Sequence, residues 1–254
     1  MSPGAPARDR SSDEEPFDWR SCALSTVGSV RKHNEDSYLA LPDKRLWVVA
    51  DGMGGHMRGD VASQAVIAAY ELFEPKRTVS ATIDDLEERA LKVNAKLREN
   101  LGEKGHKVMG STVAIMYAKG RNAFFLWAGD SRIYRYRRGR LEQISHDHSF
   151  IQESVDRNIM SAEEASAHPS SNIITRAVGV HQELYLDLDY CPVEAGDKFL
   201  LCSDGLFKDV RLAEIAEQLN KIPFKAAEGL IDLALSREAN DNVTVIVVEA
   251  HPKD

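Results

Sequence analysis

Cysteine is scarce in this chain: three in 254 residues, at Cys22, Cys191 and Cys202. None stands in a C-x-x-C pair, so a thiolate zinc site is not indicated, and an odd, scattered set fits a reducing compartment. Long apolar runs are missing as well; no stretch reaches the ~18 residues that a membrane span needs. Met1 to Pro16 is rich in proline, serine and charge and carries no apolar signal core. Positive charge is in deficit, with 32 Lys and Arg against 40 Asp and Glu, a net charge of −8. That balance lacks the basic face that nucleic acid or an anionic membrane calls for. No internal repeat is present, and Gly52-Met53-Gly54-Gly55 matches neither the Walker nor the Rossmann spacing. These absences lead us to expect a cytoplasmic protein that binds neither nucleic acid nor membrane. The length is sufficient for a sizeable core.

What the chain does have is acidic dipeptides at the ends of apolar runs, far apart in sequence: Glu35-Asp36, Asp51-Gly52, Gly129-Asp130, Asp204-Gly205 and Asp241-Asn242. Leu46 to Ala50 leads into Asp51, Ala123 to Ala128 into Gly129, and Phe199 to Cys202 into Ser203-Asp204; Val243 to Val248 follows Asn242. A strand delivers its terminal residue to the rim of a sheet. Several carboxylates at one rim repel one another unless cations lie between them, and hard oxygen ligands suit Mg²⁺ or Mn²⁺. The pattern therefore indicates a metal-dependent hydrolase. Taken singly, each residue has an ordinary alternative. Asp51 and Asp204 could be strand-ending turn residues, Asp130 a hairpin turn, and Asp241-Asn242 loop punctuation. Arg31 could be a surface arginine.

Along the chain, residues 1–17 read as a disordered tail and 18–254 as one domain. Strands are expected at Ser21–Val27, Ser37–Leu41, Leu46–Ala50, Thr112–Ala118, Ala123–Ala128, Ile133–Arg137, Tyr185–Tyr190, Lys198–Ser203 and Val243–Glu249. Helices are expected at Asp60–Leu72, with Val61, Ala65, Ala68, Ala69 and Leu72 on its apolar stripe, and at Thr82–Leu101, capped by Thr82. In the second helix Ile83, Leu86, Ala90, Val93, Leu97 and Leu101 should face a core. Two further helices read at Leu212–Leu219 and Phe224–Ser236. The polar segment of about 146–179 reads as a functional flap. The Arg135, Arg137, Arg138, Arg140 cluster reads as a solvated hairpin end.

The ordered string Arg31-x-x-Asn34-Glu35-Asp36, Asp51-Gly52-Met53-Gly54-Gly55, Gly110-Ser111-Thr112, Gly129-Asp130-Ser131-Arg132, Asp147-His148-Ser149, Ser203-Asp204-Gly205 and Asp241-Asn242-Val243-Thr244 resembles the metal-dependent serine/threonine protein phosphatases, the protein phosphatase 2C-like group, in their compact bacterial form. The likeness runs from about Trp19 to Glu249. It implies an α+β fold: a four-layer α-β-β-α sandwich of two antiparallel sheets with helix pairs outside and a metal site at one sheet edge. It implies hydrolysis of phosphoserine and phosphothreonine on proteins by in-line attack of a metal-bridged hydroxide. The cofactors would be two Mn²⁺ or Mg²⁺ ions, with room for a third. By this resemblance Asp51 bridges the two ions, the Gly52 carbonyl ligates one, and Asp204 and Asp241 complete the other. Asp130 serves a weaker third site. Glu35 and Asp36 hold metal-bound waters from behind, and Arg31 clamps the substrate phosphate. Animal members place a histidine directly after the first Asp-Gly as the acid. Met53 stands there in this chain, which leaves His56 as the nearby candidate acid. His148 reads as holding the strand-to-flap junction. The implied partners are phosphorylated proteins and a cognate serine/threonine kinase, for a monomeric enzyme. A non-catalytic phosphoprotein-binding pseudophosphatase and a small-molecule phosphoester hydrolase are the competing readings.

Overall fold

The structure is a computed structural model that describes residues 15–54, 58–102, 109–161, 164, 168, 170 and 173–253, with side chains up to residue 99 in the stretch that ends at 102. Eleven strands are present among them: β1 (Phe17–Thr26), β2 (Asp36–Leu41), β3 (Leu46–Met53), β4 (Gly110–Ser111), β5 (Val113–Lys119), β6 (Asn122–Ala128), β7 (Arg132–Arg137), β8 (Arg140–Gln143), β9 (Asp187–Pro192), β10 (Lys198–Cys202) and β11 (Val243–Pro252). The helices are α1 (Gly59–Glu71), α2 (Val79–Gly102), α3 (Phe150–Asp156), α4 (Asp204–Asp209), α5 (Leu212–Leu219) and α6 (Pro223–Leu235). One sheet runs β1-β11-β10-β7-β8. The other runs β2-β3-β5-β6-β9, with β4 beside β3. Every strand pair is antiparallel.

Strand periodicity explains the layering. In β3, Leu46, Val48 and Ala50 point one way and Trp47 and Val49 the other. The first set packs with Ala62, Val66 and Tyr70 of α1 and Leu86 and Ala90 of α2. The second packs with Phe125, Phe199, Leu201, Ile246 and Val248 between the two sheets. A third apolar layer joins Tyr134, Leu200, Val245 and Val247 to Leu206, Ile215, Ala227 and Leu230 of α4, α5 and α6. Three apolar layers separate four layers of structure, so the expected α-β-β-α sandwich holds. Strands covered on both faces read as continuous apolar runs, as Val113 to Ala118 does. The inter-sheet layer rests on large rings: Phe199 is fully buried, with the rings of Phe125 and Trp19 at 5.7 and 6.4 Å. Phe199→Ala should cost about 3–5 kcal/mol, read as a lower urea midpoint at unchanged slope. A midpoint shift below about 1 kcal/mol equivalent would contradict this packing.

Several local expectations need correction. β1 starts at Phe17, four residues before the expected Ser21, because its partner β11 runs on to Pro252 and Phe17 pairs with it. Glu15 lies inside the expected tail, yet it bridges Arg45 and Lys119 at 3.2 and 2.9 Å. The α1 stripe is rotated: Ala62, Val66, Ile67 and Tyr70 are buried, whereas Val61 is 50% and Leu72 85% exposed. Alanines on both sides gave the pattern little contrast, and the larger Val66, Ile67 and Tyr70 decide which face goes inward. α2 begins at Val79, so Thr82 lies inside it and its hydroxyl donates back to the Thr78 carbonyl at 2.9 Å. The other α2 positions behave as expected through Leu97; the Leu101 side chain lies outside the described residues. β8 and α4 had no counterpart in the sequence reading, and β9 is shifted toward Pro192. Among the described residues, no helix is long and apolar enough to cross a membrane.

Candidate metal centre

Asp51 and Gly52 sit in the last turnings of β3, and Asp36 opens β2 directly opposite Asp51 in the antiparallel register. Asp130 lies in the turn between β6 and β7, Asp204 begins α4 just past β10, and Asp241 immediately precedes Asn242 and β11. Both sheets thus send carboxylates to one rim. The electrostatics shows the convergence. Burial drives the Asp51 carboxyl well above the usual carboxylate range, and the charges of Asp36, Asp204, Asp130 and Asp241 push it further. Asp36 is pushed up to about 7, chiefly by burial, although Ser203 and Thr244 hydroxyls oppose the shift. Asp130 is also pushed up to about 7, by burial and then by Asp204 and Asp147. Glu35 is raised as well, mainly by burial.

Backbone contacts hold this rim in place. The Gly52 N–H donates to the Glu35 carbonyl at 3.1 Å, and the Asp51 carbonyl accepts from the Thr112 N–H at 2.8 Å. The Thr112 hydroxyl accepts from the Asp51 N–H at 2.9 Å and meets the Ser131 hydroxyl at 2.7 Å. Gly52 is under close approach: a Cβ there would lie 2.0 Å from the Gly59 carbonyl oxygen and 2.6 Å from that of Glu35. Only glycine lets this backbone run so near its neighbours. Asn242 ties the loop before β2 to the rim: its Oδ1 accepts from the Glu35 N–H at 2.8 Å, and its Nδ2 donates to the Val27 and His33 carbonyls at 2.9 and 3.0 Å. The Ser203 hydroxyl donates to Asp36 at 2.7 Å.

Arg31 and Asp241, 210 residues apart, meet at 2.8 Å. The guanidinium is 52% exposed, so it can exchange this carboxylate for another anion. Lys208 pairs with Asp204 across one turn of α4. The sequence reading gave Lys208 no role, though its i,i+4 spacing from Asp204 was the available signal. The same reading left Thr112, Ser203 and Asn242 without one, because their partners lie far away in sequence. Met53 ends β3 opposite Gly110. His56 lies outside the described residues.

Among the described residues, no three acidic, histidine or cysteine side chains close tightly enough to enclose an ion by themselves. The donor set nevertheless fits a hard divalent cation. It is all oxygen and strongly self-repelling. The Asp130 Oδ1 is buried and has no hydrogen-bond partner, which is the condition that a cation relieves.

Fold and rim together define a class: an antiparallel α-β-β-α sandwich with an oxygen-rich acidic centre where its two sheets meet. The chain belongs to the protein phosphatase 2C family, whose model matches residues 29–230. It is 39% identical over 233 residues to the serine/threonine protein phosphatase PstP of Mycobacterium tuberculosis, covering 91% of this chain and 45% of that protein. The chain therefore spans less than half the length of that relative. It is 32% identical to the serine/threonine phosphatase Stp of Listeria innocua, over 87% of this chain and 92% of Stp. Among solved structures, PppA of Pseudomonas aeruginosa superposes with a TM-score of 0.85 at 43% identity, covering 91% of this chain and 97% of that one. The catalytic domain of PstP, in complex with two manganese ions, superposes at 0.82 with 36% identity over 92% and 98% of the two chains. The family and the fold expected from the motif string are both borne out.

Proposed function

We propose that this chain is a divalent-cation-dependent protein serine/threonine phosphatase. One observation carries the reading: Asp36, Asp130, Asp204 and Asp241, from distant parts of the sequence, all bring their charge to bear on Asp51 at a single rim, with an exposed arginine beside Asp241. PstP and Stp are named serine/threonine phosphatases, and the PstP catalytic domain is in complex with two manganese ions. Here Asp51, the Gly52 carbonyl, Asp204 and Asp241 would hold two Mn²⁺ or Mg²⁺ ions, with Asp130 at a third. Such ions neutralise phosphoryl charge and lower the pKa of water at neutral pH.

The chain's own residues do the rest. Arg31 grips two oxygens of the substrate phosphate and turns away from Asp241 to do so. Glu35 and Asp36 accept hydrogen bonds from water at the rim, and the Ser203 hydroxyl keeps the Asp36 carboxylate turned. His148, near the start of the 146–179 segment, holds Gly129 beside Asp130, and the segment would select the phosphoprotein. We place the enzyme in the cytoplasm as a monomer that reverses a cognate serine/threonine kinase. The three free cysteines support a reducing compartment. Retention of Asp51, Asp204 and Asp241 weighs against a pseudophosphatase.

Phosphate release from a phosphothreonine peptide should require Mn²⁺ or Mg²⁺, stop with excess chelator, and exceed release from a small aryl phosphate at equal concentration. A folded chain that binds Mn²⁺ but releases no phosphate from any peptide would move the reading to a scaffold. A clear preference for the small ester would move it to a metabolite hydrolase.

A further inference from the structure

His148 is buried and lies outside the acidic set, yet it is joined to the turn that carries Asp130. Its N–H donates to the Gly129 carbonyl at 2.9 Å, and its ring Nδ1 accepts from the Gly129 N–H at 3.1 Å. Both peptide groups of one residue are thus held by one histidine. Gly129 has φ 117°, and a Cβ there would strike the Thr112 side chain at 2.5 Å. The turn is therefore pressed between Thr112, which holds Asp51, and His148.

On its other side His148 meets Thr175 and Asp187. Its carbonyl accepts from the Thr175 N–H at 2.9 Å. Its Nε2 faces Asp187 at 3.3 Å, and Asp187 is paired with Arg176. With Nδ1 accepting, Nε2 carries the proton of the neutral ring, and burial keeps the ring neutral by lowering its pKa. The ring lies parallel to that of Trp127 at 6.3 Å, and the Trp127 Nε1 donates to the His146 carbonyl at 2.8 Å. Next door, Asp147 takes a bidentate grip from Arg132 at 2.7–3.0 Å, fixing the other end of the same turn.

We infer that His148 is a positioning residue: through its Nδ1 acceptor it sets the Gly129–Asp130 turn, so that the unpartnered Asp130 Oδ1 is presented to a divalent cation and its position is tied to Thr175, Arg176 and Asp187. This rests on the metal-centre reading above. His148 touches neither substrate nor ion in this account. It acts on the backbone that carries Asp130.

Two substitutions separate this role from packing. His148→Phe keeps a flat ring for Trp127 and removes the acceptor. His148→Asn loses the ring and retains an acceptor at the Nδ1 position. The readout is Mn²⁺ titration of chelator-treated protein by calorimetry, with folding checked by circular dichroism and Asp130→Asn as the reference for the Asp130 site. His148→Phe should weaken the event that Asp130→Asn removes by at least about 10-fold, the size seen for lost outer partners of metal ligands, while His148→Asn stays within about threefold of wild type. If the Phe variant does not fold, His148→Leu makes the same comparison with less bulk. A Phe variant equal to wild type, or an Asn variant as weak as Phe, overturns the inference alone. A wild-type chain that binds no Mn²⁺ overturns the metal-centre reading with it.

Discussion

Asp51→Asn should abolish cation-dependent phosphate release and, at the same time, make the cation-free protein more stable. The two effects have one cause. Asp51 is half-buried at a rim where four other aspartates raise the cost of its charge. Asparagine has nearly the same shape and no charge. The backbone bonds to Thr112 do not depend on the carboxylate, so the fold should persist. Losing a partner that only orients a ligand costs 10–100-fold; losing the expected bridging ligand should cost more than about 100-fold in phosphate release. In chelator, the melting temperature at pH 7.5 should rise, because the folded state opposes ionisation of this carboxyl and asparagine cannot ionise. Added Mn²⁺ should then stabilise the variant far less than the wild type. An active Asp51→Asn protein, or one that melts lower than wild type in chelator, would remove Asp51 from the centre of the site.

The cation-free protein should also be more stable at pH 5.5 than at pH 7.5, the reverse of the usual carboxylate behaviour. Asp36 and Asp130 are pushed up to about 7 in the folded chain against 3.8 as the ordinary value, and Asp51 is raised well above it too. Between about 4 and 7 the folded state therefore binds more protons than the unfolded one. Stability must fall as pH rises through that window. His148 works the other way: its lowered pKa means that acid protonates the unfolded chain first. At about 1.4 kcal/mol per unit, three raised carboxyls outweigh one histidine by roughly 2 kcal/mol or more over this interval. For a domain of this size that is a melting temperature at least about 5 °C higher at pH 5.5. Saturating Mg²⁺ should invert the trend, since protons then compete with the ion. Calorimetric melts across pH, with and without Mg²⁺, decide it. A melting temperature in chelator that climbs steadily from pH 5.5 to 7.5 would show that these carboxylates are not buried together.

The sequence by itself determined the class of this protein. Chemistry at a sheet rim leaves a local mark, an acidic residue and a glycine at the end of an apolar run, and Asp51-Gly52, Gly129-Asp130 and Asp204-Gly205 all carry it. Strands buried on both faces must be apolar throughout, so β3, β5 and β6 were visible. So was the core face of α2, where charged residues separate the buried ones. The face of α1 was not, because a helix rich in alanine offers apolar residues on several sides and only contact with β3 chooses among them. Nor could spacing reveal that Arg31 meets Asp241, that Asn242 holds the Glu35 N–H, or that His148 holds Gly129. Those partners lie 210, 207 and 19 residues apart. Hydrogen bonds and charge pairs act over a few ångströms and leave no periodicity, so the chain had to be folded before it could show which groups they join.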